Sequence, residues 1–358
     1  MPASPLKMLR ESLGFTPDEV AEETRWGLAY LRDLERSDDI DDADAMVLEA
    51  LYGVDVVDVL ERGKLAGNRS PVAALLKANT ESLQASTRFA LSEVVSVARE
   101  ARMLEADLGR PSSWRRLNRT FRNSDDFGHP RSGVPANMSA QVRAHFNLGT
   151  GPIQSLQRQI LEPLGILVFT VRVQADLHAF AMADKSIGPV VVLNQDSERI
   201  RSPYTRRFAL AHEICHLFYD RHKMRGMDRL CRHNIEPPRR QETNYLHNAD
   251  IIDREQLPEP LPPQVEQLWN SWEPLPLLPN RELSVIDTLR RGPLLERLRA
   301  AWGEELIGEG CLREALHLSA EDWDKVRSIV TAGAAGSAAT WNTSAAALGL
   351  PGDTERSA

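Results

Sequence analysis

The stretch RRFALAHEICHLFYD, residues 206–220, places His212 and His216 four positions apart with Glu213 between them. Residues four apart lie on one face of an α-helix, so two imidazoles at this spacing can converge on one metal ion. Glu213 is then close enough to take a proton from a metal-bound water. This H-E-x-x-H spacing predicts a zinc site with His212 and His216 as ligands and Glu213 as catalytic base.

The residues around this motif predict a buried helix. On this otherwise apolar helix, His212, Glu213 and His216 are polar, and burying polar side chains costs desolvation free energy. Binding to a metal ion would offset that cost. The alternative to a metal site is that the two histidines are core residues that only form hydrogen bonds. The apolar residues that surround the notch are Phe208, Leu210, Ala211, Ile214, Cys215, Leu217 and Phe218.

Composition limits the class of protein. A chain of 358 residues, 42% hydrophobic and 26% charged, is expected to form two or three globular domains. No apolar run approaches membrane-spanning length, and the N-terminus lacks the pattern of a signal peptide, so a cytoplasmic protein without membrane association is expected. Three widely spaced cysteines suit a reducing compartment. The net charge of -8 means that nucleic-acid binding would require a local basic patch.

Residues 1–65 are predicted to form five short helices, at 6–13, 17–23, 28–36, 43–52 and 56–62. Thr16, Pro17 and Glu19 form the sequence pattern of a helix start with a capping box. The motifs L-R-x-x-x-G-x-T, Y-L-x-x-L-E-R and L-x-x-L-Y-G-V occur in order along this segment. The segment resembles the XRE-type helix-turn-helix domain of phage repressors, which implies that the helix at 28–36 is the recognition helix.

The charge of this first segment opposes DNA binding. Residues 1–65 contain seven Lys or Arg and sixteen Asp or Glu, a net formal charge of -9, which would repel phosphate. Arg25, Arg32 and Arg36 are the residues that could reach a DNA backbone. The segment is therefore either a helical protein-interaction module or a DNA-binding domain.

Residues 66–136 are expected to form a helical connector and a linker. Apolar residues recur at helical spacing over 72–108 and predict one long helix. The following stretch, 110–122, interleaves five arginines with Trp114 and Phe121 and is either a nucleic-acid contact or a solvated helix face. Glycine and proline at 128, 130, 133 and 135 predict a linker over 123–138.

The segment 137–280 is predicted to hold the catalytic domain. An amphipathic helix at 153–164 precedes three β-branched or apolar runs at 166–173, 178–184 and 189–195, which predict a small antiparallel sheet. A turn is expected at 185–188. Asn194 is either a turn residue or part of the cleft.

Three motifs of this segment, GILVFTV, PVVVLN and RRFALAHEICHLF, follow one another in the chain. Over about residues 150–280 it resembles the ImmA/IrrE metallopeptidases, which often carry an XRE-like domain in front. The resemblance implies a zincin-like peptidase that binds zinc through His212 and His216, uses Glu213 as general base, and cleaves helix-turn-helix repressors to release transcription.

A catalytic zinc needs a third protein ligand, which must come from a downstream residue. The ImmA/IrrE pattern places a Glu at the start of a second helix, and in EQLWNSWEPLPLLP this position is Glu266. Trp269 in place of a small residue, and prolines at 274 and 276, depart from the pattern. Glu242 is the alternative, and the remaining nitrogen ligands in reach are His222, His233 and His247.

The expected architecture is α+β, with an all-helical N-terminal domain, a helical connector, the peptidase domain, helices over 281–333 and a flexible tail over 334–358. The leading functional prediction is a zinc endopeptidase that cleaves a repressor in a stress, phage or mobile-element response. The competing prediction is a non-catalytic XRE-type regulator or antitoxin-like protein with a structural or degenerate metal site. The sequence leaves the oligomeric state open.

Overall fold

A computed structural model describes most of the chain. Glu242, the three downstream histidines, most of the arginine-rich stretch and the C-terminal tail lie outside the described part. The described residues are 4–37, 39–62, 83–110, 134–149, 153–184, 187–220, 230–231, 263–273 and 283–332.

Five short helices form the N-terminal region, as the sequence predicts. Thr16 caps the second helix in a capping box, in which its hydroxyl accepts from the Glu19 N–H and the Glu19 carboxylate accepts from the Thr16 N–H. These reciprocal bonds satisfy two donors that a helix start otherwise leaves unpaired. The helices are α1 (Pro5–Ser12), α2 (Pro17–Thr24), α3 (Leu28–Ser37), α4 (Asp42–Tyr52) and α5 (Val56–Arg62).

A long helix, α6 (Ala85–Asp107), runs between the N-terminal helices and the rest of the chain. It begins later than the predicted helix at 72–108, of which residues 72–82 lie outside the described part. Gln84 is the N-cap in an extended conformation, and its backbone N–H donates to the Gln174 side chain at 3.0 Å. This tertiary hydrogen bond helps to fix the start of the helix. The spacing of apolar residues in the sequence cannot predict such a contact.

Two further elements precede the sheet, and both differ from expectation. Helix α7 (Val134–His145) overlaps the predicted linker at residues 134–138, because Pro135 fits the first turn of a helix, where no N–H is needed. The predicted helix at 153–164 is instead a π-helical turn (Gln157–Leu161) followed by a 3-10 turn (Glu162–Leu164). Pro163 cannot donate to an α-helical ladder.

The sheet is mixed, so the prediction of an antiparallel sheet is wrong. Its strands are β1 (Leu167–Val171), β2 (Ala179–Asp184), β3 (Gly188–Asn194) and the two-residue β4 (Leu230–Cys231), in the order β1-β3-β2-β4. The β2–β3 hairpin is antiparallel, but β1 pairs in parallel with β3 on its other side. The chain therefore crosses over between β1 and β2, and strand patterns do not encode that choice of neighbour.

Helices complete the second half of the chain. A short helix, α8 (Glu198–Arg201), leads into α9 (Pro203–Cys215), which continues as a π-helical turn (His216–Asp220). The predicted C-terminal helices are present, and Ser319 accepts from the Asp322 N–H at 3.1 Å. The remaining helical elements are α10 (Pro263–Trp272), a 3-10 turn (Thr288–Arg290), α11 (Pro293–Gly303), α12 (Glu309–Ala315) and α13 (Ala320–Ala332).

Alternate residues of the strands pack into two hydrophobic clusters, one on each face of the sheet. Phe169 and Val192 join a cluster that also holds the N-terminal helices, α6 and the C-terminal helices. Val168 and Val191 join a second cluster with α9. The strands are therefore buried on both faces, and the helix with the H-E-x-x-H motif lies on the second one.

Within the described ranges, no helix is long and apolar enough to cross a membrane.

Candidate metal centre

Helix α9 carries the H-E-x-x-H motif with the predicted geometry. The His216 N–H bonds to the His212 carbonyl, so one α-helical turn separates the two histidines and places them on one face. Both side chains are buried, their Nε2 atoms lie 3.0 Å apart, and their ring planes are nearly perpendicular. The α-helix ends at this turn, and the π-helical turn starts at His216.

Apolar neighbours hold α9 against the sheet. Leu210, Ala211 and Ile214 are buried in the same cluster as Ala181 and Val191. Glu213, between the two histidines in sequence, has no solvent-exposed surface. Burial of a carboxylate between two buried histidines in sequence is costly in desolvation, which favours a site that carries chemistry.

The spacing of the two imidazole nitrogens is compatible with binding one zinc ion. Zinc binds imidazole nitrogens at about 2.0–2.1 Å in a tetrahedral arrangement, which separates two nitrogen ligands by about 3.3 Å. The 3.0 Å between the Nε2 atoms of His212 and His216 is close to that separation. The donor set of two buried imidazoles therefore fits a zinc ion.

Glu266, the predicted third ligand, is exposed in the first turn of α10. Helix α10 contacts α9 through later residues, since Trp269 stacks on Tyr204 and Asn270 Oδ1 accepts from Arg206 at 2.7 Å. His212 lies six residues beyond Arg206, or about 9 Å of helical rise. Over the described ranges, no three His, Cys, Asp or Glu side chains are grouped to hold a metal. Glu266 remains a prediction, and Glu242 lies outside these ranges.

Two arginines next to the motif are buried, which the sequence did not indicate. Arg207 donates to the Ile153 carbonyl at 2.6 Å and to the Gln154 carbonyl at 3.2 Å. Arg206 donates to the Ile200 carbonyl at 2.9 Å and to Asn270, and burial lowers its pKa to about 10. Both guanidinium groups thus fix the first half of α9 to the segments around it. Arginine side chains are usually exposed, so the sequence does not predict that these two are buried. Their position shortly before the H-E-x-x-H motif is the one signal that could have drawn attention to them.

Glu273 completes this arrangement from the end of α10. Its carboxylate lies 3.5 Å from Arg207 and accepts backbone N–H bonds from Leu156 and Gln157. Burial raises the pKa of Glu273 to about 7, although Arg207 and the two N–H groups lower it. This role of Glu273 could not be predicted from its sequence neighbours, because a glutamate before a proline is typical of an ordinary helix end.

Asn194 serves as a turn organiser, one of the two predicted roles. Its side-chain nitrogen donates to the Gln174 carbonyl at 2.9 Å and to the Leu177 carbonyl at 2.6 Å, and its oxygen accepts from the Asp196 N–H. These bonds shape the loop from β1 to β2. At the same loop, His178 Nδ1 lies 2.5 Å from the hydroxyl of the fully buried Ser197.

The three arginines predicted to reach DNA are all exposed. Arg25 ends α2 in a left-handed conformation, with a φ of 58°. Arg32 and Arg36 lie on α3, where Arg36 forms a solvent-exposed ion pair with Asp33 at 2.6 Å. Their exposure is compatible with a contact to phosphate, but DNA binding remains a prediction.

Comparison with known proteins gives one match. Residues 161–265 match the family model of the IrrE N-terminal-like domain, Peptidase_M78, a metallopeptidase-type family that is generally zinc-dependent. The match contains β1, β2, β3 and helix α9, and it supports the resemblance to ImmA/IrrE proteins. No curated protein and no solved structure matches the chain.

Proposed function

We propose that this chain is a cytoplasmic zinc-dependent endopeptidase that cleaves a helix-turn-helix transcriptional repressor in a stress, phage or mobile-element response. The observation that carries the proposal is the convergence of the His212 and His216 Nε2 atoms at 3.0 Å, with the buried Glu213 directly after His212 in the helix. The match of residues 161–265 to a peptidase family supports the same chemistry.

His212 and His216 would hold the zinc ion. When bound, zinc supplies Lewis acidity to a water molecule and to the scissile carbonyl. Glu213 carries the proton in the reaction, because its carboxylate can accept it from the attacking water and return it to the leaving amine. The buried Arg206 and Arg207 fix the helix that presents all three groups, and such fixed geometry lowers the cost of reaching the transition state.

Glu266 is proposed as the third zinc ligand, with Glu242 as the alternative. Elemental mass spectrometry on the wild-type protein and on the His212→Ala, Glu266→Ala and Glu242→Ala variants tests this. We expect about one zinc per wild-type chain, lost with His212 and with one of the two glutamates. Zinc-free wild-type protein after reconstitution would overturn the proposal of a zinc enzyme.

The Glu213→Gln variant separates catalysis from metal binding. We expect it to retain zinc and thermal stability but to lose cleavage by about a hundredfold or more, because an amide cannot act as a base at neutral pH. Cleavage is followed by intact mass spectrometry on helix-turn-helix proteins encoded beside this chain. Equal fragment formation by wild type and Glu213→Gln would contradict the proposed mechanism.

The N-terminal helices are proposed to dock the substrate. Their acidic charge suits a protein partner better than DNA. Deletion of residues 1–65 is a poor test of docking, since Leu9, Phe15 and Leu48 of this segment share a core with α6. Surface substitutions on these helices are the cleaner test.

A non-catalytic regulator is the second candidate function. The exposure of Arg25, Arg32 and Arg36 favours it, as does the exposed position of Glu266. A gel-shift assay that shows sequence-specific, salt-dependent DNA binding, unaltered in Glu213→Gln, would favour this regulator over the peptidase.

A further inference from the structure

Helix α4 turns an apolar side to solvent. It buries Ala45, Leu48 and Tyr52 against the core, while Met46 and Val47 on its other side are 58% and 40% exposed. Ala43 is also exposed and lies one turn from both. Apolar side chains that cluster on a protein surface mark interaction sites, whereas isolated ones need no explanation.

Tyr30 of α3 extends this apolar surface. Its side chain is 45% exposed, its hydroxyl donates to Asp44 of α4, and Trp26 packs against the ring edge at 5.5 Å. Asp44 lies one helical turn from Val47, so the fixed Tyr30 ring adjoins the exposed side of α4. Tyrosine and tryptophan are common anchors of protein interfaces. We define the α3–α4 face as Tyr30, Ala43, Met46 and Val47.

Carboxylates surround the α3–α4 face. Asp33 lies one turn after Tyr30 on α3, and Asp39, Asp41 and Asp42 lie at or before the start of α4; all four are exposed. Two exposed arginines, Arg32 and Arg36, also lie on α3, and Arg36 is paired with Asp33, so carboxylates outnumber cations around the face. An apolar centre with an acidic rim repels nucleic acid and complements a basic protein surface.

We propose that the α3–α4 face binds the basic, DNA-contacting surface of the helix-turn-helix substrate; this rests on the proposed peptidase function. Such a substrate must present Arg and Lys side chains that reach phosphate. Those cations match the acidic rim, and the aliphatic stems of the same side chains match the apolar centre. A repressor bound to DNA would have this surface occupied, so DNA would protect it from cleavage.

Methionine methyl NMR on the full-length Glu213→Gln chain tests the docking site. Met46 lies in the α3–α4 face, and Met103 of α6, which is 62% exposed, is the matched reporter outside it. The probe is a synthetic amphipathic helix with Arg and Leu side chains, compared with a Glu-for-Arg twin and with a short duplex DNA. We expect the basic helix alone to shift the Met46 methyl signal in a saturable way, with Met103 unmoved.

Surface variants then locate the binding energy. Asp42→Lys and Val47→Ser are each expected to weaken binding of the basic helix about tenfold or more, the loss typical of an interface residue worth over 1 kcal/mol. Asp324→Lys makes the same charge change at an exposed position of α13, and Val285→Ser alters a similarly exposed valine. We expect both controls to bind like the parent chain.

The docking site would be overturned if the basic helix left the Met46 signal in place, or if the duplex DNA or the acidic twin shifted it equally. It would also be overturned if the Met46 signal shifted with protein concentration alone, because that indicates self-association. Docking without Glu213-dependent cleavage in the wild-type chain would overturn the peptidase and leave the surface intact. Repressor cleavage unchanged by Asp42→Lys would overturn the surface and leave the peptidase intact.

Discussion

At the scale of single residues, one buried carboxylate joins three segments of the chain. Glu273 ends α10, pairs with Arg207 of α9 and accepts N–H bonds at the start of the π-helical turn that begins at Gln157. A buried ion pair costs desolvation that attraction only partly repays, so its value lies in fixing geometry. Here the geometry that it fixes is that of the helix carrying His212 and His216.

The pKa of Glu273, raised to about 7 by burial, predicts a pH-dependent stability. The folded chain holds this proton more tightly than the unfolded chain, where the ordinary value is 4.5, so the free energy of unfolding falls as pH rises from 4.5 to about 7. The loss amounts to about 3 kcal/mol. Glu273→Gln should flatten this decline, as measured by urea unfolding at several pH values. A difference between wild type and variant that is independent of pH would contradict the raised pKa.

Arg207→Met should destabilise the fold by about 3 kcal/mol, because it removes hydrogen bonds to two backbone carbonyls and leaves Glu273 without its counter-charge. Since Arg207 lowers the pKa of Glu273, its loss should cost more at pH 8 than at pH 5. Arg201→Met is the matched control. The Arg201 side chain is 62% exposed, lies 3.7 Å from Asp196 and donates to the Gln195 carbonyl at 3.1 Å, so we expect a change within about 1 kcal/mol.

At the scale of elements, local signals predicted the helices better than the sheet. Thr16 and Glu19 predicted the start of α2, and the four-residue spacing of His212 and His216 predicted that they share one face of α9, because caps and helical spacing depend on residues within one turn of chain. The parallel pairing of β1 with β3 and the burial of Arg206 and Arg207 depend on residues far away in sequence. Those features could not be predicted from local pattern alone.

The junction of α4 with α6 gives an element-scale prediction. Gly53 has a φ of +63°, and an added Cβ would lie 2.5 Å from the Ser92 carbonyl oxygen of α6. Gly109 has nearly the same φ, +62°, with nothing within 4 Å of its Cβ position. Gly109→Ala should cost about 1 kcal/mol for backbone strain, and Gly53→Ala about 3 kcal/mol because overpacking adds to it.

Urea unfolding of both alanine variants measures these costs. Equal losses at the two positions would mean that the close approach of α4 to α6 does not constrain Gly53.

At the scale of the whole molecule, the predicted domain boundaries run through a shared core. One hydrophobic cluster contains Leu9 of α1, Phe89 of α6, Phe169 of β1 and Trp323 of α13. Buried ion pairs cross the same boundaries, since Arg297 of α11 bonds to Glu105 of α6 at 2.7 Å. These contacts predict that the N-terminal helices, α6 and the C-terminal helices unfold together.

Phe89→Ala tests this cooperativity. Phe89 stacks on Phe15 at 4.2 Å, and its truncation should cost about 3–5 kcal/mol. Hydrogen exchange should then accelerate to a similar extent in α1 and in α13, although α13 is remote in sequence. Met103→Ala, at a position of α6 that is 62% exposed, serves as a control without effect on exchange. Acceleration confined to the N-terminal helices would indicate two independently folding units.

The stacking of Phe15 on Phe89 also has a consequence for how the N-terminal helices and α6 can evolve. Arg88, beside Phe89, donates to the Gly14 carbonyl, pairs with Glu19 at 2.6 Å and lies over the Phe15 ring. A gene recombination that joined residues 4–62 to a foreign helix α6 would separate all of these partners at once. The two segments must therefore descend together, and lineages of this protein should show paired changes at positions 15 and 89 and at 19 and 88.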